Sequence, residues 1–268
     1  MKSTARILSF LLVLGMILGV LPVSASALSI SDSGFTKIAT LPNDYTATQG
    51  MASDGTYIYT FQSPQGNHGV AHFVRTTISN GNKVVMKYTD DTSITNFIEL
   101  GHGNDMCCGI HNGKTYLYLT SMYHKSHSTY ATHSIWKFEV SGNTMKKVGR
   151  YDVVEGSTNR NFTGLTVLKQ DDQTVTLLAA HDAKFYTIEM AHNQPDGTVS
   201  CKKVFEIDYT SSLSISGAPK YNYTNSSGTK MFLVQGMTHT RNPYKYILRL
   251  GMGIPLAELP FDYLFEGN

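Results

Sequence analysis

The feature that most constrains this chain is a turn-then-strand pattern that recurs with strict two-residue alternation. Asp54-Gly55 leads into Thr56-Tyr57-Ile58-Tyr59-Thr60-Phe61, and Asn112-Gly113 leads into Lys114-Thr115-Tyr116-Leu117-Tyr118-Leu119. The pattern returns at Asp172-Gln173-Thr174-Val175-Thr176-Leu177 and at Ser227-Gly228-Thr229-Lys230-Met231-Phe232-Leu233, so the spacing is roughly 55 to 60 residues. Aromatic and β-branched residues at period two, bounded by Gly, Asn, Asp and Ser, are the signature of strands. Beyond the first 27 residues no segment keeps an apolar period of 3.6 for three turns. The chain is therefore expected to be all-β.

Each repeat divides into four short strands, A to D. The first comprises 50–53, 57–61, 70–77 and 83–88, and the second 105–109, 116–121, 134–140 and 145–151. The third comprises 164–168, 174–179, 184–189 and 200–207, and the fourth 218–223, 230–234, 244–250 and a last run near 256–265. Repeated four-stranded units of this size are the blades of a β-propeller. Gly34–Leu41 resembles a further D strand, since Lys37-Ile38 matches Lys147-Val148 and Lys203-Val204. The expectation is four complete blades plus a partial fifth. An unclosed ring exposes strand edges, so the chain is expected to be part of a longer gene product.

The N-terminal 27 residues have the plan of a secretory signal peptide. Lys2 and Arg6 precede an apolar run from Ile7 to Leu21, and Ala25-Ser26-Ala27 supplies small residues for cleavage. Residues 28–268 then form a single domain, expected outside the cell with no membrane span after cleavage. Loss of Lys2 and Arg6 from 22 basic residues leaves 20 against 20 acidic ones. A balanced surface argues against nucleic-acid binding, which needs a positive one. With 16% charged and 41% hydrophobic residues, the chain is neither disordered nor a polytopic membrane protein. Cys107, Cys108 and Cys201 are too few for a disulfide scaffold and lack zinc-site spacing, so free thiols are expected.

The chain resembles the secreted bacterial β-propeller repeat proteins. The likeness rests on Gln49-Gly50-Met51, on Gly101-His102-Gly103-Asn104-Asp105-Met106, and on the Asp-Gly and Asn-Gly turns before the Tyr-rich strands. Gln-Gly followed by an Asp-Gly–Tyr strand is also similar to helveticin-type class III bacteriocins. Both resemblances are architectural and imply no residue role.

In a propeller the D–A and B–C loops share one face, around the channel mouth. His102 falls in a D–A loop, and His68, His124, His127, His181 and His239 each follow a B strand. His111 and His192 fall on the opposite face, and His72 and His133 on or beside C strands. The sharpest cluster is His102-Gly103-Asn104-Asp105, where imidazole and carboxylate together suit one divalent cation or an activated water. Asn104 and Asp105 equally suit turn hydrogen bonds at a strand start. The candidate ligand-binding residues are Gln49, His68, His102, Asn104, Asp105, Tyr123, His124, His181 and His239, with His102 and Asp105 as the metal pair. Tyr57, Tyr59, Tyr116 and Tyr118 are expected in the sheets.

No nucleophile elbow, phosphate loop or dinucleotide fingerprint is present. Two function classes follow. One is a noncatalytic propeller that binds a glycan or cell-envelope component. The other is a metal-assisted carbohydrate-active hydrolase or lyase with its site at the channel mouth. A secreted bacteriocin-like toxin is a third.

Overall fold

A computed structural model describes residues 47–63, 72–89, 100, 103–121, 133–181, 184–206, 223–224, 230–231, 234–239, 245–250 and 257–260. The signal segment, Gly34–Leu41, His68, His102, Tyr123 and His124 lie outside the described residues.

Three antiparallel four-stranded meanders follow one another along the chain. The first is β1 (Ala47–Ser53), β2 (Tyr57–Ser63), β3 (His72–Thr77) and β4 (Lys83–Val85), with β5 (Lys87–Tyr88) continuing its outer edge. The second is β6 (Met106–His111), β7 (Lys114–Thr120), β8 (Ser134–Ser141) and β9 (Thr144–Glu155), with β10 (Thr158–Asn159) paired to the end of β9. The third is β11 (Gly164–Gln170), β12 (Thr174–His181), β13 (Lys184–Ala191) and β14 (Gly197–Glu206). After a two-stranded hairpin, β15 (Tyr223–Thr224) with β16 (Lys230–Met231), comes a three-stranded sheet of β17 (Val234–His239), β18 (Lys245–Leu250) and β19 (Ala257–Pro260). The chain is all-β, as its alternation requires.

The turns explain the repeat. Asp54 Oδ1 accepts hydrogen bonds from the backbone N–H groups of Thr56 and Tyr57, at 2.9 and 2.8 Å. Asp171 Oδ1 does the same for Gln173 and Thr174, both at 2.8 Å. These side chains mimic a backbone turn. The turn residue of the third unit is therefore Asp171, one position before the Asp172 that the sequence alignment pairs with Asp54. In the second unit Asn112 and Gly113 both take positive φ, 49° and 71°, which a tight two-residue hairpin demands.

Alternation does more here than separate core from solvent. Along β7, Leu117 and Leu119 join a cluster with Tyr59, Phe61 and Phe73 of the first unit. Tyr118 points the other way, into a cluster with Leu165, Leu177, Tyr186 and Ile188 of the third. Successive side chains thus serve two different cores, because neighbouring units cover both faces of the sheet. Cys107 and Cys108 split the same way, one to each cluster. All three cysteines are free, and burial pushes Cys108 up to about 12 and Cys201 to about 11. Tyr59 and Tyr118 are buried, and Tyr57 and Tyr116 are half-buried against the cores.

The fourth unit departs from expectation. Of the strands expected at Ala218–Tyr223 and Lys230–Val234, residues 218–222 and 232–233 lie outside the described residues and the ends at Tyr223–Thr224 and Lys230–Met231 pair with each other, while the strand lying against β11 is β17, Val234–His239. The first strands of successive units, β1, β6, β11 and β17, lie against one another in chain order. The marker of this register is a tripeptide. Gln49-Gly50-Met51 and Gln235-Gly236-Met237 each occupy a one-residue β-bulge: Thr48 and Met51 face Gln62 and Thr60, and Val234 and Met237 face Leu250 and Leu248. Close packing fixes the glycine in β1, since a Cβ at Gly50 would stand 2.8 Å from Met106 Cβ.

A repeated clasp joins the units. Arg75 on β3 donates to Gly142 O at 2.5 Å and to Asn143 Oδ1 at 2.6 Å, in the β8–β9 turn, while lying 4.1 Å over the Tyr57 ring. Lys137, at the matching position on β8, donates to His192 O at 2.7 Å in the β13–β14 turn and lies 4.5 Å from the Tyr116 ring centre. The matching position on β13 is Thr187, so this clasp stops after the third unit. The outer strands are stitched as well: β14 pairs in parallel with β9 over Gly197–Ser200, and β5 with β9 over Lys87–Tyr88. Arg75→Met removes a charge-assisted donor, so chemical denaturation should show a loss of about 1.5–3 kcal/mol. Lys87→Met, an exposed neighbour on β5, should fall within about 0.5 kcal/mol of wild type.

Candidate functional site

The expected site lies where β6 begins. Asp105 is buried, at 5% exposure, and its carboxylate is engaged by three strands. Oδ1 accepts from its neighbour Met106 N at 2.9 Å. Oδ2 accepts from Leu165 N of β11 at 2.7 Å and from Met237 N of β17 at 3.0 Å. Its own backbone is paired too: Asp105 N donates to Thr120 Oγ1 at 3.0 Å, and Thr120 N to Asp105 O at 3.0 Å. One side chain therefore ties together the inner strands of the second, third and fourth units.

Asn104, 8% exposed, donates from Nδ2 to Thr163 O at 3.4 Å, again reaching the third unit. Gly103 has φ +59°, and a Cβ there would enter the Phe61 ring. The segment 103–105 is thus a backbone corner packed between units. The hydrogen bonds run across units, where the sequence suggested a local turn.

Of the other candidates, Gln49 is half-buried in the β1 bulge. His181 ends β12 opposite Lys184, at the same end of the sheet as Asp105, since Gly164 pairs with Ala180. His239, expected in a loop after a second strand, is instead the last residue of the inner strand β17. The shift follows from the Gln-Gly-Met register: the repeat is longer between β11 and β17 because the β15–β16 hairpin intervenes. The second Gln-Gly-Met was the sequence signal for this. No group of three or more metal-ligating side chains is present among the described residues.

A second cluster lies at the other end of the sheets, between the β6–β7 and β11–β12 turns. An open groove of ≈ 400 Å³ is lined by Cys108, His111, Asn112, Val167, Gln170 and Asp172, among others. At its side the His111 and His192 rings stack, with centroids 3.5 Å apart and planes 12° from parallel. Sequence placed both residues on this face but gave no sign that they meet. Gln170 Nε2 donates to Ile110 O across the groove.

No family model matches the sequence, and no curated protein matches it. Among solved structures, a Bacteroides ovatus protein described as xyloglucan PUL GH43B is similar over 82% of this chain and 39% of its own, at 10% identity and a TM-score of 0.46. This chain thus spans well under half of that protein's length. The computationally designed Ika4 protein is similar over 84% of this chain and 98% of its own, at 6% identity and a TM-score of 0.33. Likeness at this level transfers no role to any residue.

Asp105→Ala would leave three buried N–H groups without an acceptor. The expected result is a loss of roughly 3–5 kcal/mol in chemical denaturation, or failure to fold. Asp105→Asn keeps one acceptor oxygen and should fall between Ala and wild type.

Proposed function

We propose that this chain is an exported β-propeller that binds an extracellular glycan or cell-envelope component without catalysing its breakdown. The observation that carries this choice is the engagement of Asp105. The hydrolase or lyase alternative needs a carboxylate free to hold a divalent cation with His102 or to activate water. Here both carboxylate oxygens are committed to backbone N–H groups of three strands. That weighs toward an architectural carboxylate and toward binding through the surrounding amide, imidazole and phenol groups.

On this proposal, the ligand lies at the end of the sheets where β6 begins and β12 ends. Gln49 and His181 supply hydrogen bonds there, and Asn104 and Asp105 shape the floor. His68, His102, Tyr123 and His124 are proposed to complete the surface, whereas His239, two residues past Met237 at the far end of inner strand β17, lies towards the opposite end of the sheets and is left out of it. Planar amide and imidazole groups pair well with sugar hydroxyls, and a tyrosine ring gives a sugar face an apolar platform. The signal-like leader and the balanced charge of the remaining chain support an extracellular, uncharged or zwitterionic target.

The test is binding of the purified exported protein to a glycan array and to insoluble cell-wall polymers. Gln49→Ala and His181→Ala should each weaken binding about fivefold, the worth of one neutral hydrogen bond. No retention on any array or polymer at high micromolar protein would defeat the proposal. Stoichiometric divalent metal in the purified protein, lost in His102→Ala, would favour the enzyme instead.

A further inference from the structure

We propose that the His111–His192 stack is a pH-sensitive latch, which fastens the second unit to the third while both rings are neutral and releases that seam when His111 takes up a proton. The hydrogen bonds fix what each ring carries. His192 Nε2 lies 2.8 Å from Asp171 O, and a carbonyl only accepts, so Nε2 bears the hydrogen. Its Nδ1 is a buried atom with no hydrogen-bond partner among the described residues, so the ring has no second acceptor for a further hydrogen there. His111 Nε2 lies 2.9 Å from Asn112 Nδ2, which only donates, so this nitrogen is the bare one and Nδ1 carries the hydrogen. Protonation of His111 therefore sets two donors against each other. That proton also places a cation on a ring stacked 3.5 Å from its partner.

The charged groups around the pair come from each element packed there. From β8, the Lys137 ammonium reaches His192 O. Desolvation first, then His192, and last this buried ammonium hold His111 below its ordinary value. From the β11–β12 turn, Asp172 acts on His111 in the opposite sense. The Asp171 carboxylate is occupied by the N–H groups of Gln173 and Thr174. Burial holds Lys137 below its ordinary value, and Glu139 of β8, which faces Lys114 at 2.9 Å, acts on it in the opposite sense. From the β13–β14 turn, Asp196 is held by Lys147 at 3.2 Å. Asp172 is thus the only one of these carboxylates acting directly on His111, and desolvation, His192 and Lys137 oppose it. The sign follows: a histidine held lower in the folded state stabilises the fold above its unfolded value of 6.5 and loses that contribution as pH falls below it.

The stack also sits where the seam is made. His192 supplies the carbonyl of the second clasp, and two residues on, Gln194 O accepts from Tyr151 Oη at 3.1 Å. Asp196 Oδ1 accepts from Arg150 N at 3.0 Å, and β14 then pairs with β9 from Gly197 onward. Displacement of His192 loosens this turn first.

The test compares wild type with His111→Phe, which keeps a ring in the stack but cannot take a proton. Thermal denaturation from pH 7.5 to pH 5 should lower the Tm of wild type more than that of the variant, with the two curves converging or crossing on acidification. Parallel curves would overturn the proposal. Imidazole nitrogen shifts of the wild-type protein give a second measurement that needs no variant. They should show His192 with its hydrogen on Nε2 and His111 with its hydrogen on Nδ1 at pH 7.5. On acidification, amide exchange corrected for intrinsic rate should rise several-fold in residues 192–200 but not in β2. Opposite tautomers, or unchanged protection of that turn at pH 5, would also overturn it.

Discussion

The rest of the structure depends on one buried carboxylate. Inner strands of adjacent units cannot hydrogen-bond to one another in ladder fashion where they splay apart, so N–H groups facing the gap need another acceptor. Asp105 supplies it for Met106, Leu165 and Met237 at once. A carboxylate is the only side chain with two oxygens and enough lone pairs to do this without leaving a donor of its own to satisfy. The residues are 60 and 132 positions from Asp105. The contact therefore closes loops of that length through a few atoms.

Outward from that point the units are held by two further devices. Side chains of the second unit alternate between the core shared with the first and the core shared with the third, so its sheet is buried on both faces. At the opposite end, a cation from a third strand rests on a tyrosine and donates to a carbonyl in the next unit's outer turn. Arg75 and Lys137 do this at matching positions. In the second clasp the accepting residue is a histidine, whose ring adds a titratable contact to an otherwise pH-insensitive joint. One end of the molecule is thus fixed by a saturated carboxylate, and the other by contacts open to protonation.

Much of this was legible in the residues and some was not. Strands in the first three units fall within a few residues of their expected places, because period-two alternation and Asx or Asn-Gly turns are local signals. The fourth unit was misregistered because Lys230-Met231-Phe232-Leu233 carries the same alternation as a true second strand. The better marker was the repeated Gln-Gly-Met, whose bulge is set by contact between β1 and β6 and not by local preference. His181 falls at the same end as Asp105, as connectivity demands. His239 does not follow a second strand, because its unit begins later than the alternation suggests.

The sequence by itself determined that the chain is all-β, that it is built from repeated four-stranded meanders, and where most of its turns lie. It also determined that Asp105 is special, through the glycine before it and its place at a strand start. Only the tertiary structure decided what Asp105 is for. A carboxylate three residues after a histidine reads the same in one dimension whether it faces a ligand or three backbone amides, since two of those amides come from Leu165 and Met237, far away in the chain. The same holds for His111 and His192. They lie 81 positions apart in sequence, and their stacking is fixed by how one unit's outer turn packs against another's inner one.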